Sequence, residues 1–310
     1  MSAPALFQPV GACWVCGGRA LRPVATALFE FALYREQDPA LDGYTGASIP
    51  IVECTSCGFA QPSALPTLPD FFARMYDQRW SDEWVVLEFE LGYKDRIFLD
   101  VLAGLARRTA GRVLLDVGAH VGRLIHLASS RGWQAEGVEL NPKTAEFAAA
   151  RTGLVVHRED AAVMAARGAR YDAITLIDVL EHIPDPVPVL RALRALLAPG
   201  GCLAVKVPNG KRQREKESLR ATLRPGYRAT IADNLVHVNH FSPSSLALAL
   251  REAGYRDVEV GVAAPEIIPG SGARSLLDRI ARLAVWRAAS LLPGGVHTPL
   301  ALHLQAYARA

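Results

Sequence analysis

Long hydrophobic runs are missing from this sequence: no window of the 310 residues approaches the ~18 uninterrupted apolar positions of a membrane-crossing helix. The start, Met1 to Gly11, lacks a charged segment followed by an apolar run, so no secretory signal is read there and the expected location is cytoplasmic. Net charge is low, since 34 Lys and Arg against 31 Asp and Glu leave +3. A dedicated nucleic-acid binder concentrates far more positive charge on one face, so nucleic acid is not an expected partner. Internal repeats and low-complexity tracts are absent. Cysteine is sparse at five, and in a reducing compartment such thiols read as metal ligands or buried side chains rather than disulfides. Apolar residues are not sparse. Half of the chain is hydrophobic, enough for one large α/β domain with a smaller appendage.

Four of the cysteines form two pairs, Cys13-x-x-Cys16 and Cys54-x-x-Cys57. Gly17-Gly18 and Gly58 follow the pairs, and small residues there let the backbone turn so that both sulfurs of a pair face one point. Four thiolates at this spacing suit tetrahedral Zn2+, which can hold together a module too small to build its own core. With four protein ligands the site is expected to be structural; the alternative is four buried thiols. Ile49 to Glu53 reads as a short strand, and the Pro-rich stretch Pro62 to Pro69 as a linker.

Periodicity through Leu87, Leu91, Phe98, Leu102 and Leu105 predicts helices across Phe71 to Ala110, ended by Arg107, Arg108 and Gly111. Beyond Gly111 the pattern changes. Predicted strands at Val113 to Leu115, Ala135 to Leu140, Leu154 to His157, Tyr171 to Ile177 and Cys202 to Val207 alternate with helices, one of them at Pro188 to Leu197. A helix at Ser244 to Ala253, a strand at Arg256 to Val262, an amphipathic helix at Ala273 to Leu291 and a strand at Leu300 to Tyr307 complete the series. This order predicts a doubly wound, Rossmann-like parallel sheet with the last strand inserted antiparallel. The expected divisions are a zinc-ribbon-like module (1–66), a helical linker or cap (67–110) and the α/β domain (111–310).

The first crossover carries the chemistry. Asp116-x-Gly118-x-x-x-Gly122 supplies a tight turn that lets a ligand approach the backbone and the next helix N-terminus. Glu139, about twenty residues on, can accept both hydroxyls of a ribose. A nucleoside cofactor is the reading of the two together. The nicotinamide fingerprint does not fit, because His120 and Arg123 stand where its later glycines belong.

The segments Leu114 to Gly122, Val138-Glu-Leu-Asn-Pro142, Glu159-Asp160, Tyr171-Asp172 and Asp178-Val-Leu-Glu-His-Ile-Pro-Asp-Pro186 together resemble the class I S-adenosylmethionine (SAM)-dependent methyltransferases. The Leu197 to Leu203 turn and the His240 to Leu246 segment fit the same family, so the similarity runs from about residue 111 onward. The resemblance implies that Asp116, Gly118, Ala119, His120 and Gly122 cradle the methionine portion of SAM. It also implies that Glu139 and Leu140 meet the ribose side, that Asp160 and Ala161 face the adenine, and that Asp178 lies beside the amino-acid end. His120 departs from the pattern, which often has Gly there. A zinc module before such a domain is similar to that of bacterial sugar and natural-product methyltransferases, where Tyr76 also has a counterpart.

His182, His237 and His240 are the candidates for acting on the acceptor, since an imidazole can take a proton near neutral pH; His182 and His240 read equally as loop-packing residues. Residues 208–243 look like an insertion that covers the substrate in this family. Lys206 to Arg228 holds eight Lys or Arg and reads as a lid that grips phosphate or as a solvated loop. The amphipathic helix around Leu276 to Leu292 is expected to be core or dimer surface. The expected activity is methyl transfer to a small-molecule or carrier-linked acceptor, such as a nucleotide sugar or a natural-product intermediate. The rivals are an rRNA base methyltransferase and a SAM-binding scaffold without turnover.

Overall fold

Two short sheets are formed by the N-terminal strands. In the computed structural model, which describes residues 6–77, 85–229, 231–267 and 273–310, β1 (Phe7–Pro9) pairs antiparallel with β5 (Ala64–Pro66). The strands β2 (Leu21–Leu28), β3 (Ser48–Cys54) and β4 (Ala60–Pro62) form an antiparallel sheet in that order. The Pro-rich linker expected at Pro62 to Pro69 is therefore a correction, because its first half is strand. Proline is tolerated there since an edge strand need not donate from every residue. The short α1 (Pro39–Asp42) is capped by Asp38, whose side chain accepts from Ala40 N, and α2 (Phe71–Asp77) follows β5. Phe29, Phe31, Tyr44 and Phe71 pack with ring centroids 5.3–6.3 Å apart, each contact worth ~0.5–1.5 kcal/mol beyond area burial. Leu235 and Val238, from far downstream, complete this core.

The large sheet contains β6 (Val113–Val117), β7 (Gln134–Val138), β8 (Val156–His157), β9 (Tyr171–Ile177), β10 (Leu197–Pro208), β11 (Arg256–Val262) and β12 (His303–Arg309). Their spatial order is β11-β12-β10-β9-β6-β7-β8. Strand β12 runs antiparallel to both β10 and β11, and the other pairings are parallel, as the sequence pattern predicts. The helices are α3 (Asp95–Ala106), α4 (Arg123–Ser129), α5 (Pro142–Thr152), α6 (Ala161–Ala166), α7 (Pro186–Ala195), α8 (Gly210–Leu223), α9 (Pro243–Glu252) and α10 (Ala273–Leu291). Successive residues of a strand face opposite sides, and β6 shows it. Leu114 packs with α3 and α4, whereas Leu115 joins the cluster that contains α7 and α9. Helices thus cover both faces. Among the described residues, no helix is long and apolar enough to cross a membrane.

Several bounds move. The helix expected at Pro188 to Leu197 starts at Pro186 and yields Leu197 to β10; proline suits a first helical turn, where the missing N–H has no intrahelical partner anyway. The last strand starts at His303 rather than Leu300. Part of the helical region expected from Phe71 to Ala110 falls at 78–84 and, like Met1 to Ala5, lies outside the described residues. Helix α10 is not core. Among the side chains described along it, Trp286 and Ala289 are buried and Leu283 is half-buried.

Candidate active site

At the C-terminal end of β6, Gly118 has φ 77° and Gly122 φ 82°. A Cβ on Gly118 would lie 2.3 Å from Val179 Cγ2, so only glycine fits. The N–H groups of Gly118 and Ala119 both donate to Val138 O at 2.9 Å, which ties the loop to β7. Asp116 is buried and accepts from Thr175 Oγ1 at 2.7 Å. Burial, opposed by that hydrogen bond, pushes its carboxyl up to about 7.

The departure at His120 has a physical account. Its φ of 47° is left-handed, a region where His is more common than most non-glycine residues. The His120 N–H donates to Glu139 Oε2 at 3.0 Å, and its ring Nδ1 lies 3.0 Å from Glu88 Oε1. Glu139 Oε1 accepts from Asn141 N at 2.9 Å. Two backbone donors therefore fix this carboxylate just after β7 and leave each oxygen a lone pair, which is what a vicinal diol needs. Leu140 is exposed beside it. Asp160 is exposed after β8 and caps α6 by accepting from Val163 N at 2.9 Å, with half-buried Ala161 next to it.

Asp178 ends β9 with φ 56°. Lys206 Nζ on β10 lies 2.5 Å from its Oδ1, and Lys94 Nζ 3.4 Å from its Oδ2. Lys94 also faces Glu88, in the π-helical turn Val85–Glu90, at 3.5 Å. His120, Glu88, Lys94, Asp178 and Lys206 thus form an alternating chain beside the loop. Burial works to raise the Asp178 carboxyl, but the Lys206 and Lys94 ammoniums hold it well below the carboxylate range. Glu88 and Lys94 carry no local sequence signal. Lys206 does, because a cation inside an otherwise apolar buried strand needs a partner.

Shortly after β9, the turn Leu180–His182 meets α2 through Tyr76. Tyr76 Oη and Val236 O each lie 2.5 Å from His182 Nδ1, and Tyr76 Oη donates to Val236 O at 3.0 Å. A carbonyl only accepts and a phenol can also donate, so Nδ1 is held between an acceptor and a group that can play either part. The rings of His182 and His237 are 5.0 Å apart at 63°. Ligand atoms of Glu181, His182 and His237 all lie within 4.8 Å of one another. Burial, and next the negative charge of Asp178, push the Glu181 carboxyl up to about 8. His303 on β12 was not foreseen; burial, then Lys206, push its imidazole down to about 3.

His240 stands apart. It is 2% exposed, and burial holds its imidazole well below the usual range. A Cβ on Gly210 would lie 2.5 Å from His240 Cα, so the start of α8 closes over it. This runs against the expectation that His240 meets the acceptor.

The stretch 234–242 is held from the N-terminal side. Asn234 accepts from Glu30 N at 2.7 Å and donates to Glu30 O at 3.1 Å. His240 and Ala60 exchange backbone hydrogen bonds of 2.9 and 3.2 Å, and the rings of Phe241 and Phe59 are 5.1 Å apart. Asn239 Nδ2 donates to Leu180 O at 2.8 Å and Ile183 O at 2.6 Å, which ties the stretch to the His182 turn.

The four N-terminal cysteines meet at one point. Sγ of Cys13 is 3.6 Å from that of Cys57, Sγ of Cys16 is 3.5 Å from that of Cys54, and all four lie within 4.8 Å. With Zn–S near ~2.3 Å, tetrahedral sulfurs stand about 3.8 Å apart, so the donor set fits one ion. Most of the basic stretch is regular structure, with Arg224 and Arg228 in the turn after α8. Lys206 is in the sheet, 211–223 lie in α8, Arg214 pairs with Glu53 at 2.6 Å, and Arg212 and Arg220 pair with Glu215 and Glu217 at 2.6 and 3.4 Å.

The family described as a methyltransferase domain matches residues 92–260. The chain is 29% identical over 159 residues to a ubiquinone biosynthesis O-methyltransferase of Paraburkholderia phytofirmans, covering 49% of this chain and 67% of that protein. It is 31% identical over 178 residues to the protein of the same name from Nitrosospira multiformis, covering 55% and 70%. Among solved structures, a SAM-dependent methyltransferase of Archaeoglobus fulgidus aligns with TM-score 0.45 and 16% identity over 72% of this chain and 100% of that one. With a glycine-turned loop at the head of its Rossmann-like sheet and a family match over more than half its length, the chain belongs to the methyltransferase domain family and is a SAM-dependent methyltransferase.

Proposed function

We propose that the enzyme methylates a hydroxyl oxygen of a small or carrier-linked acceptor, the nucleotide sugars and natural-product intermediates being within that class. The Tyr76–His182–His237 cluster carries this reading, and relatives named for O-methylation favour oxygen. SAM supplies a methyl group on a sulfonium, open to in-line displacement, so the protein mostly positions the acceptor. A hydroxyl also has a proton to lose.

Asp116, Gly118, Ala119, His120 and Gly122 hold the methionine side of SAM in this account. Glu139 and Leu140 hold the ribose side, Asp160 and Ala161 the adenine, and Asp178 the amino-acid end. His237 takes the acceptor's proton, with the His182 ring 5.0 Å from it. His240 serves the architecture. Cys13, Cys16, Cys54 and Cys57 hold a structural Zn2+, and 1–66, 67–110 and 111–310 act as module, cap and catalytic domain of a cytoplasmic protein. An RNA acceptor is less well supported, because half the cations of the basic stretch are paired within the protein.

The test is to measure SAM affinity by calorimetry and S-adenosylhomocysteine release with hydroxylated aromatic and nucleotide-sugar acceptors. His237→Ala should leave SAM affinity unchanged and lower turnover by about 10²–10⁴-fold. Unchanged turnover, or transfer to amines and to no hydroxyl, would contradict the reading.

A further inference from the structure

Helix α10 is fastened along one side only. Trp286 Nε1 donates to Val262 O at 3.4 Å, the Arg96 guanidinium stacks 4.8 Å from the Trp286 ring, and Ala289 is buried beside it. The opposite side carries Leu277, Ile280 and Leu291, which are 66, 53 and 79% exposed, and Leu276, Val285 and Leu292 flank them. Leu292 follows the helix end; at 100° per residue the other five cover about half the helix circumference, centred opposite Trp286. Ala284 and Ala288 fill the stripe between them. An exposed aliphatic surface of this extent marks a site of interaction.

We propose that α10 lies on an anionic phospholipid surface, with its aliphatic stripe in the headgroup–acyl boundary. Of the four arginines within 273–291, Arg279 and Arg282 stand on the polar side and Arg287 on the rim, where its guanidinium stacks 5.0 Å from the Trp286 ring. Asp278 is the one acid within 273–291, and it is paired with Arg282 at 2.7 Å. That leaves positive charge around the stripe, which complements anionic headgroups. A second copy of the helix would bring arginines against arginines with no unpaired carboxylate to meet them. Protein interfaces also favour aromatic side chains at their cores, whereas the apolar members of this stripe are aliphatic, suited to a partner without fixed shape. The helix is too polar to span a bilayer, so it rests on the surface. An acceptor carried in or on the membrane would then be delivered next to the enzyme.

The experiment is sedimentation of the full chain with vesicles of phosphatidylcholine, or of phosphatidylcholine with phosphatidylglycerol. The protein should pellet with the anionic vesicles, less so in high salt as charges are screened, and little with the neutral ones. Leu277→Gln with Leu291→Gln should lower the bound fraction at least about tenfold while SAM affinity, read by calorimetry, stays the same. Arg279→Gln with Arg287→Gln should remove the preference for anionic lipid. Absence of binding to either vesicle overturns the proposal, as does equal binding to both. A concentration-dependent dimer lost in the Leu277→Gln, Leu291→Gln variant, without vesicle binding, would instead assign the stripe to a second copy.

Discussion

The proposed cofactor and acceptor sides of the site are built differently. On the cofactor side, the loop after β6 and the end of β7 form a local unit in which backbone donors and one carboxylate satisfy each other within a span of about twenty-five residues. On the acceptor side, the parts come from across the chain: Glu30 meets Asn234, Ala60 meets His240, and Tyr76 meets His182. On the proposed assignment, cofactor binding depends on turn geometry, whereas acceptor geometry depends on the cysteine module that grips 234–242. Disturbing one side should leave the other largely intact.

The largest effect is expected where both sides share a support. Lys206→Met removes a fully buried ammonium and leaves Asp178 facing Lys94 alone. Breaking a buried pair this way costs about 3 kcal/mol, the low end of the usual range because Lys94 stays. Urea unfolding should report it; a loss under about 1 kcal/mol would mean that the pair is not the shared floor of the two sides.

Glu139→Ala acts on the cofactor side alone. A charged, doubly accepting carboxylate is worth ~1.5–3 kcal/mol, so SAM affinity by calorimetry should weaken about tenfold or more. Acceptor-side stability, followed by amide exchange at 234–242, should stay the same. Unchanged SAM affinity would remove Glu139 from the cofactor site.

A further effect separates the sides by pH. The folded protein holds the Glu181 proton up to about 8, whereas an unfolded chain releases it near the ordinary value of about 4.3. Between those values the folded state binds more protons, so stability falls as pH rises through this window. Glu181→Gln should flatten that slope in urea titrations between pH ~5 and ~8, while SAM affinity changes little. A slope equal to the parent's would show that Glu181 ionises normally.

This difference also explains what the sequence could disclose. The Asp116 to Gly122 turn, Glu139 and the alternating strands are local patterns, and so are the two Cys-x-x-Cys pairs. The inserted β12 follows from element order. The alternating chain through Glu88 and Lys94, the pairing of Arg214 with Glu53 and the burial of His240 depend on contacts between distant segments, which no spacing encodes. The Pro-rich stretch misled because proline marks loops and edge strands alike. The apolar stripe of α10 reads as core or dimer surface in sequence, since periodicity shows that a helix has an apolar face without showing what covers it.

The claim that the cysteine module holds the acceptor side is tested most directly by hydrogen exchange with and without the metal. Amides of 234–242 and 116–122 should be followed in metal-loaded protein and after chelation. The account predicts faster exchange at Val238, Asn239 and His240 once the metal is gone, with 116–122 unchanged and SAM affinity within about twofold. Equal protection of 234–242 in both forms, or a purified folded protein that contains no metal, would contradict it.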